Sequence, residues 1–194
     1  MLDVDLFRKL GRGPQVVLPK DAAFVVGLTG LQAGDRVVEA GSGSGWLSVR
    51  LGSIVAPNGK VFSYEWREDF AGLARKNVEK AGLEGVVEIR QKDVFSGIDE
   101  TEVDLVCLDL AGSEKALGHA FAALKPKGFC VGFLPNVEQA KAFVLEGERL
   151  GFTHELTVDV LGREWLVRPH GVRPATTGLL HTVFLSFLRK PANK

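Results

Sequence analysis

Apolar residues along this chain follow two alternating rhythms. Short runs rich in β-branched residues at 36–39, 60–65, 86–91, 103–109 and 128–134 predict buried strands. Between them, apolar positions recur with helical spacing over 45–54, 68–81, 114–124 and 137–151, the last ending at Gly151, a residue suited to a C-cap. Turn formers separate the elements, notably Pro57-Asn58-Gly59, Gly82 to Gly85 and Lys125-Pro126-Lys127-Gly128. Strands alternating with helices predict an α/β, Rossmann-like, mostly parallel sheet with crossover helices. Two further β-rich segments, 153–161 and 179–188, follow with no helix between them. They predict a C-terminal antiparallel hairpin at the sheet edge, making seven strands. There is no internal repeat or low-complexity stretch, and 194 residues suit one domain over 1–194.

Charge narrows the range of partners. Lys plus Arg equals Asp plus Glu at 24 each, so no overall field draws the chain to nucleic acid or membrane. A polyanion would need a local basic patch. The longest apolar runs, 105–110 and 129–134, are far too short to span a bilayer, and no signal-peptide pattern opens the chain. The expectation is a cytoplasmic protein with no membrane association. Cys107 and Cys130 each lie inside an apolar run, which predicts buried thiols on neighbouring strands rather than a metal site or disulfide.

The first predicted strand runs directly into Glu39-Ala40-Gly41-Ser42-Gly43-Ser44-Gly45-Trp46-Leu47. A glycine-rich turn between a strand and a helix lets backbone approach a ligand closely. Nicotinamide-binding folds use such a turn too, but their third glycine would fall at Trp46, and Glu39 would repel a pyrophosphate. S-adenosylmethionine carries no phosphate and has ammonium and sulfonium cations, so the loop points to that cofactor. Glu65 ends the second strand, where a carboxylate can accept both ribose hydroxyls, and Asp93-Val94 follows the third, where an acid can take an adenine amino group beside apolar neighbours. Methyl transfer from a sulfonium is in-line displacement on an activated donor and needs alignment more than a nucleophile or metal. It is helped by an acceptor for a proton or positive charge, for which Asp109 at the fourth strand's end is the candidate.

The chain resembles the tRNA N1-methyladenine methyltransferases that modify an adenine of the T-loop. The resemblance spans residues 12 to 190. It rests on Gln15-Val16-Val17-Leu18-Pro19-Lys20-Asp21, Glu39 to Gly45, Ser63-Tyr64-Glu65-Trp66-Arg67-Glu68-Asp69-Phe70, Asp109-Leu110, Leu124 to Phe129, Pro135, Gln139, Arg173-Pro174 and His181-Thr182. It implies that Ser44 to Leu47, Glu65, Phe70, Asp93 and Asp109 line the S-adenosylmethionine pocket, with Gln15, in an N-terminal segment over residues 1–25, closing it. It further implies a homo-oligomer, with a small β-domain ahead of the core; fewer than twenty residues precede Leu18, so that domain is expected to be absent here. Two departures fall on the acceptor side: Leu18 stands where the family has Tyr, and Ala111 where it has Pro. The same donor is therefore expected, with the RNA, base or atom left open.

Arg163, Arg168, His170 and Arg173, opposed only by Glu164, and the cluster Arg8, Lys9, Arg12 and Lys20 are candidate phosphate contacts, and Trp165 could stack on a base. The expected activity is RNA base N-methylation, on tRNA adenine N1 by resemblance. Alternatives are an exocyclic amine of rRNA, such as cytosine N4, and a non-catalytic RNA-binding subunit. A nicotinamide-dependent oxidoreductase is disfavoured by Glu39 and Trp46.

Overall fold

The computed structural model describes residues 4–13, 15–176 and 181–192. Two helices open the chain, α1 (Val4–Lys9) and α2 (Pro19–Thr29). The alternating unit follows: β1 (Arg36–Ala40), α3 (Trp46–Val55), β2 (Lys60–Tyr64), α4 (Glu68–Lys80), β3 (Val87–Arg90), β4 (Val103–Leu108), α5 (Leu117–Ala123), β5 (Leu124–Leu134) and α6 (Val137–Arg149). Four strands close it: β6 (Thr153–Asp159), β7 (Trp165–Arg168), β8 (Gly171–Pro174) and β9 (Phe184–Arg189).

Seven strands form one sheet in the order β3-β2-β1-β4-β5-β9-β6. β1 to β5 are parallel, and β9 runs antiparallel to both β5 and β6. The expected α/β architecture, with its C-terminal antiparallel pair, is thus observed. Successive side chains on a strand face opposite ways, and both faces are covered. Val37, Leu105, Cys107 and Val131 pack in one core with residues of α2, α3 and α4, while Val38, Val106, Leu108 and Cys130 pack in the other with α5 and α6. Burial on both faces is why these strands read as continuous apolar runs. Both cysteines are buried and free, on paired strands. Strand order reverses where β1 pairs β2 on one side and β4 on the other, and the crevice beyond such a switch point is where ligands bind in open α/β sheets.

Several elements differ from expectation. α3 starts at Trp46 because Gly45 takes a left-handed cap conformation. The segment expected as one helix over 114–124 opens with a 3₁₀ turn, Ser113–Ala116, before α5. β5 begins at Leu124 rather than Gly128: the turn-like Lys125 to Gly128 is absorbed as an irregularity, with a register shift opposite Val103 to Leu105 and positive φ at Lys127. The final strand starts at Phe184; of the segment expected from 179, residues 179 and 180 lie outside the described residues. β7 and β8 form a separate two-stranded sheet of four-residue strands that the sequence did not reveal, lying inside a segment broken by Pro169 and Pro174. Among the described residues no helix is long and apolar enough to cross a membrane, and no cluster of potential ligands could hold a metal ion.

Candidate active site

Three glycines shape the loop after β1, each for a different reason. At Gly41, φ is +92° and a Cβ would lie 2.0 Å from the carbonyl oxygen of Asp109. Its missing side chain lets the loops after β1 and β4 touch, tied also by the Asp109 amide donating to the Ala40 carbonyl at 2.9 Å. Gly45, at φ +76°, has its Cα against Ala74 of α4, where a Cβ would approach within 3.0 Å. Only Gly43, at φ +51°, faces open space. Close approach to a ligand, the sequence rationale for all three, applies to Gly43; the other two accommodate protein.

The acids occupy distinct environments. Glu65 follows β2 and is 4% exposed. The Gly43 amide donates to its Oε2 at 3.0 Å, and the Arg67 amide to its Oε1 at 3.1 Å. Arg67 also brings Nε to 3.4 Å from Oε1 while its guanidinium stacks 3.8 Å over the Phe70 ring. This carboxylate is held in one orientation before any ligand arrives. Asp93 Oδ1 accepts from the Phe95 amide at 3.0 Å, capping a 3₁₀ turn over Val94–Ser96; Asp93 is exposed and Val94 buried.

Asp109 presents its surface to the open cleft, yet protein crowds it on every other side, and that desolvation raises its carboxyl to about 6. Glu39 is fully interior at 1% exposure. Ser48 Oγ donates to Oε2 at 2.5 Å, and Oε1 has no partner. Burial pushes Glu39 to about 8, against the opposing hydrogen bonds of Ser48 and Ser63, with Asp109 and Glu65 adding like-charge repulsion. At neutral pH Glu39 is therefore mainly a neutral acid, so it does not repel a pyrophosphate as a carboxylate would.

A cavity of about 370 Å³ lies at the C-terminal ends of β1, β2 and β4. Of the residues expected at the cofactor, it brings together Gln15, Gly41, Gly43, Glu65, Phe70, Asp93, Val94 and Asp109. Glu39, Ser42, Ser44, Gly45, Trp46 and Leu47 stand behind its wall. Ser42 Oγ pairs with Ser63 Oγ at 2.5 Å, and the Ser44 carbonyl accepts from Asn77 Nδ2 at 2.7 Å. Leu47 belongs to the core. Trp46 turns to the N-terminal segment, donating Nε1 to the Gly11 carbonyl at 3.0 Å and packing edge-on against Phe7. Trp66, Arg67 and Lys92, to which sequence reasoning assigned no role, also line the cavity, as does Phe95, one of the apolar neighbours of Asp93. Their signal was adjacency to Glu65 and Asp93.

The lining suits an adenosyl sulfonium cofactor. A pre-oriented carboxylate at Glu65 can take ribose hydroxyls, Phe70, Val94 and Phe95 offer apolar flanks for a base, and Asp93 offers an acceptor. Glu39 Oε1, at the end of β1, and Ser44 Oγ, on the loop, are buried without a partner just behind this wall. The fold and site define an S-adenosylmethionine-dependent methyltransferase of Rossmann-like architecture.

Residues 8–188 match the family described as the tRNA methyltransferase complex GCD14 subunit, and the chain belongs to that family. It is 33% identical to the tRNA (adenine(57)-N(1)/adenine(58)-N(1))-methyltransferase TrmI of Methanocaldococcus jannaschii, over 96% of this chain and 76% of that one. It is 39% identical to the tRNA (adenine(58)-N(1))-methyltransferase TrmI of Thermus thermophilus, over 89% of this chain and 68% of the relative. Among solved structures, a protein of Thermotoga maritima called a SAM-dependent O-methyltransferase superposes with a TM-score of 0.91 at 32% identity, covering 98% of this chain and 71% of its own.

Proposed function

We infer that this protein methylates N1 of an adenine in tRNA, using S-adenosylmethionine. The observation that carries this reading is Asp109. It is an acid at the cavity mouth, adjoining Leu110 and Ala111, on a chain similar over most of its length to two adenine-N1 enzymes. When bound, the cofactor supplies an activated methyl group. In this reading Glu65 and Asp93 hold its nucleoside, and Phe70 and Val94 flank the adenine. Gln15 covers the cavity from the N-terminal segment, which Asn77 anchors by accepting from the Gly11 amide at 2.8 Å.

Attack by adenine N1 leaves positive charge on the base. Asp109 meets that charge as a carboxylate and orients the base by accepting from its amino group, so it must be ionised. The working form is a homo-oligomer of this chain, because one copy offers little surface beyond the cavity for a folded RNA. The test is incubation with a tRNA transcript and S-adenosylmethionine, followed by nucleoside mass spectrometry. N1-methyladenosine is expected. An O-methylated nucleoside, or a methyl group on a cytosine amine, would overturn the assignment.

A further inference from the structure

The chain between β6 and β9 leaves and re-enters the sheet at one end. Asp159 and Leu134 both register with Phe184, so this excursion rises beside the C-terminal end of β5, on the same side as the cavity. Its root is firmly held. Lys20 Nζ donates to the Val160 carbonyl and to Thr182 Oγ1, each at 2.6 Å, and to Asp21 Oδ1 at 2.7 Å. Thr182 Oγ1 in turn donates to Asp21 Oδ2 at 3.0 Å, with Asp21 buried. His181 bridges Asp159 Oδ2 at 3.0 Å and the Pro135 carbonyl at 3.2 Å. Both legs of the excursion are therefore pinned to the start of α2 and to the loop after β5.

Beyond this root stands the β7–β8 ribbon. Directly opposed residues share a face, so Leu166, Arg168, Gly171 and Arg173 line one side, and Trp165, Val167, Val172 and Pro174 the other. Arg163 lies 6.0 Å over the Trp165 ring. Arg8, Arg67, Arg90, Arg149 and Arg189 pair with carboxylates, Arg12, Arg36 and Arg50, like Arg163, sit over aromatic rings, and Arg75 donates to the Ile89 carbonyl at 3.4 Å. Among the described residues no carboxylate pairs with Arg163, Arg168 or Arg173. Arg168 and Arg173, both exposed and with neither a carboxylate nor a ring partner among the described residues, thus place two unneutralised guanidinium groups on one ribbon.

We propose that β7–β8 is an RNA-gripping arm, with Arg168 and Arg173 contacting backbone phosphates outside the cavity. This rests on the reading that the substrate is RNA. Guanidinium forks match phosphate oxygens, and neither group has a carboxylate to leave; Arg173 gives up at most a long hydrogen bond, 3.4 Å, to the Pro174 carbonyl. The pinned root keeps the arm in a fixed relation to the cavity, so phosphates held on it would set which nucleotide reaches Asp109.

The test measures binding of a tRNA transcript to the full chain as a function of salt. Arg168→Ala/Arg173→Ala should weaken binding on the order of tenfold at moderate salt, and lower the slope of log affinity against log salt by roughly 1.5, since each phosphate contact contributes about 0.7 to 0.9. Cofactor affinity should be unchanged. Arg168→Lys/Arg173→Lys should keep most of the slope, which separates lost charge from a misfolded ribbon. Wild-type binding with an unaltered slope in the alanine variant would overturn the arm and leave the RNA reading standing. Wild-type protein that binds no RNA would overturn both. An alanine variant that changes oligomeric state but not RNA affinity would assign the ribbon to a contact between copies, and also overturn the proposal.

Discussion

Glu39→Gln should make the cofactor-free protein resistant to alkaline loss of stability. The Glu39 carboxyl stands at about 8, against 4.5 for the free group. A carboxyl raised on folding stabilises the native state fully below its unfolded value, and that contribution is lost as pH rises through the folded value. The window thus runs from about pH 4.5 to about pH 8. At 1.36 kcal/mol for each pH unit, the full difference would be about 5 kcal/mol, and relaxation around the ionised group should reduce it to about 2–4 kcal/mol. For a chain of this size that corresponds to roughly 5–15 °C in Tm. Thermal or urea unfolding of wild type and variant at pH 5 and pH 9 gives the comparison. The glutamine amide can leave its own hydrogen unpaired, a constant offset of about 1–3 kcal/mol that cancels between the two pH values. His181 titrates in both proteins and cancels in the difference. Parallel stability curves for the two proteins would refute the buried-acid assignment.

Gly41→Ala should destabilise by about 3 kcal/mol or more, from a left-handed backbone plus collision with the Asp109 carbonyl, whereas Gly43→Ala, with open space at its Cβ, should cost about 1–2 kcal/mol; urea unfolding of both compares them. Asp93→Ala should mainly weaken cofactor binding by calorimetry, while Asp109→Asn should lower kcat by roughly 10²–10³ with cofactor affinity within a few-fold. In wild type kcat should rise with pH through about 6 as Asp109 ionises and then level off, and Asp109→Asn should lack that limb. A matching limb in the variant would remove Asp109 from the rate-determining ionisation.

Five parallel strands and their crossovers were legible because burial on both faces leaves unbroken apolar runs such as 103–108, and because glycine and proline punctuate the turns. Less legible was anything decided by distant partners. β9 separates β5 from β6 only because the chain doubles back after a long excursion, and no local pattern encodes that insertion. The β7–β8 ribbon has strands of only four residues and pairs only with itself. At the site, Glu65, Asp93 and Asp109 could be placed from their positions at or after strand ends, and Phe70 only through the family resemblance. Trp46 and Glu39 could not, because adjacency to the loop does not say which way a side chain turns. Trp46 turns to Gly11, and Glu39 turns inward to Ser48. Arg67 escaped notice since its role depends on reaching two neighbours, Glu65 and Phe70, in different directions.

Gly41 shows why the donor and acceptor sides of the cavity cannot vary independently. The loop after β1 can serve a cofactor only while the loop after β4 lies against it, and that contact exists because position 41 has no side chain. The same contact fixes the backbone of Asp109, which the proposed chemistry places beside the acceptor base. Substitutions next to Asp109, such as alanine at 111, can reshape the mouth, but they do so from a backbone point already pinned by Ala40 and Gly41. The sheet thereby holds the proposed acid at one distance from the cofactor loop, and choice of RNA falls to elements mounted elsewhere. The best-anchored of those is the ribbon that Lys20 and His181 secure at its root. Acceptor specificity in such a design can change through the ribbon and the residues at 18 and 111 without disturbing the geometry of methyl transfer.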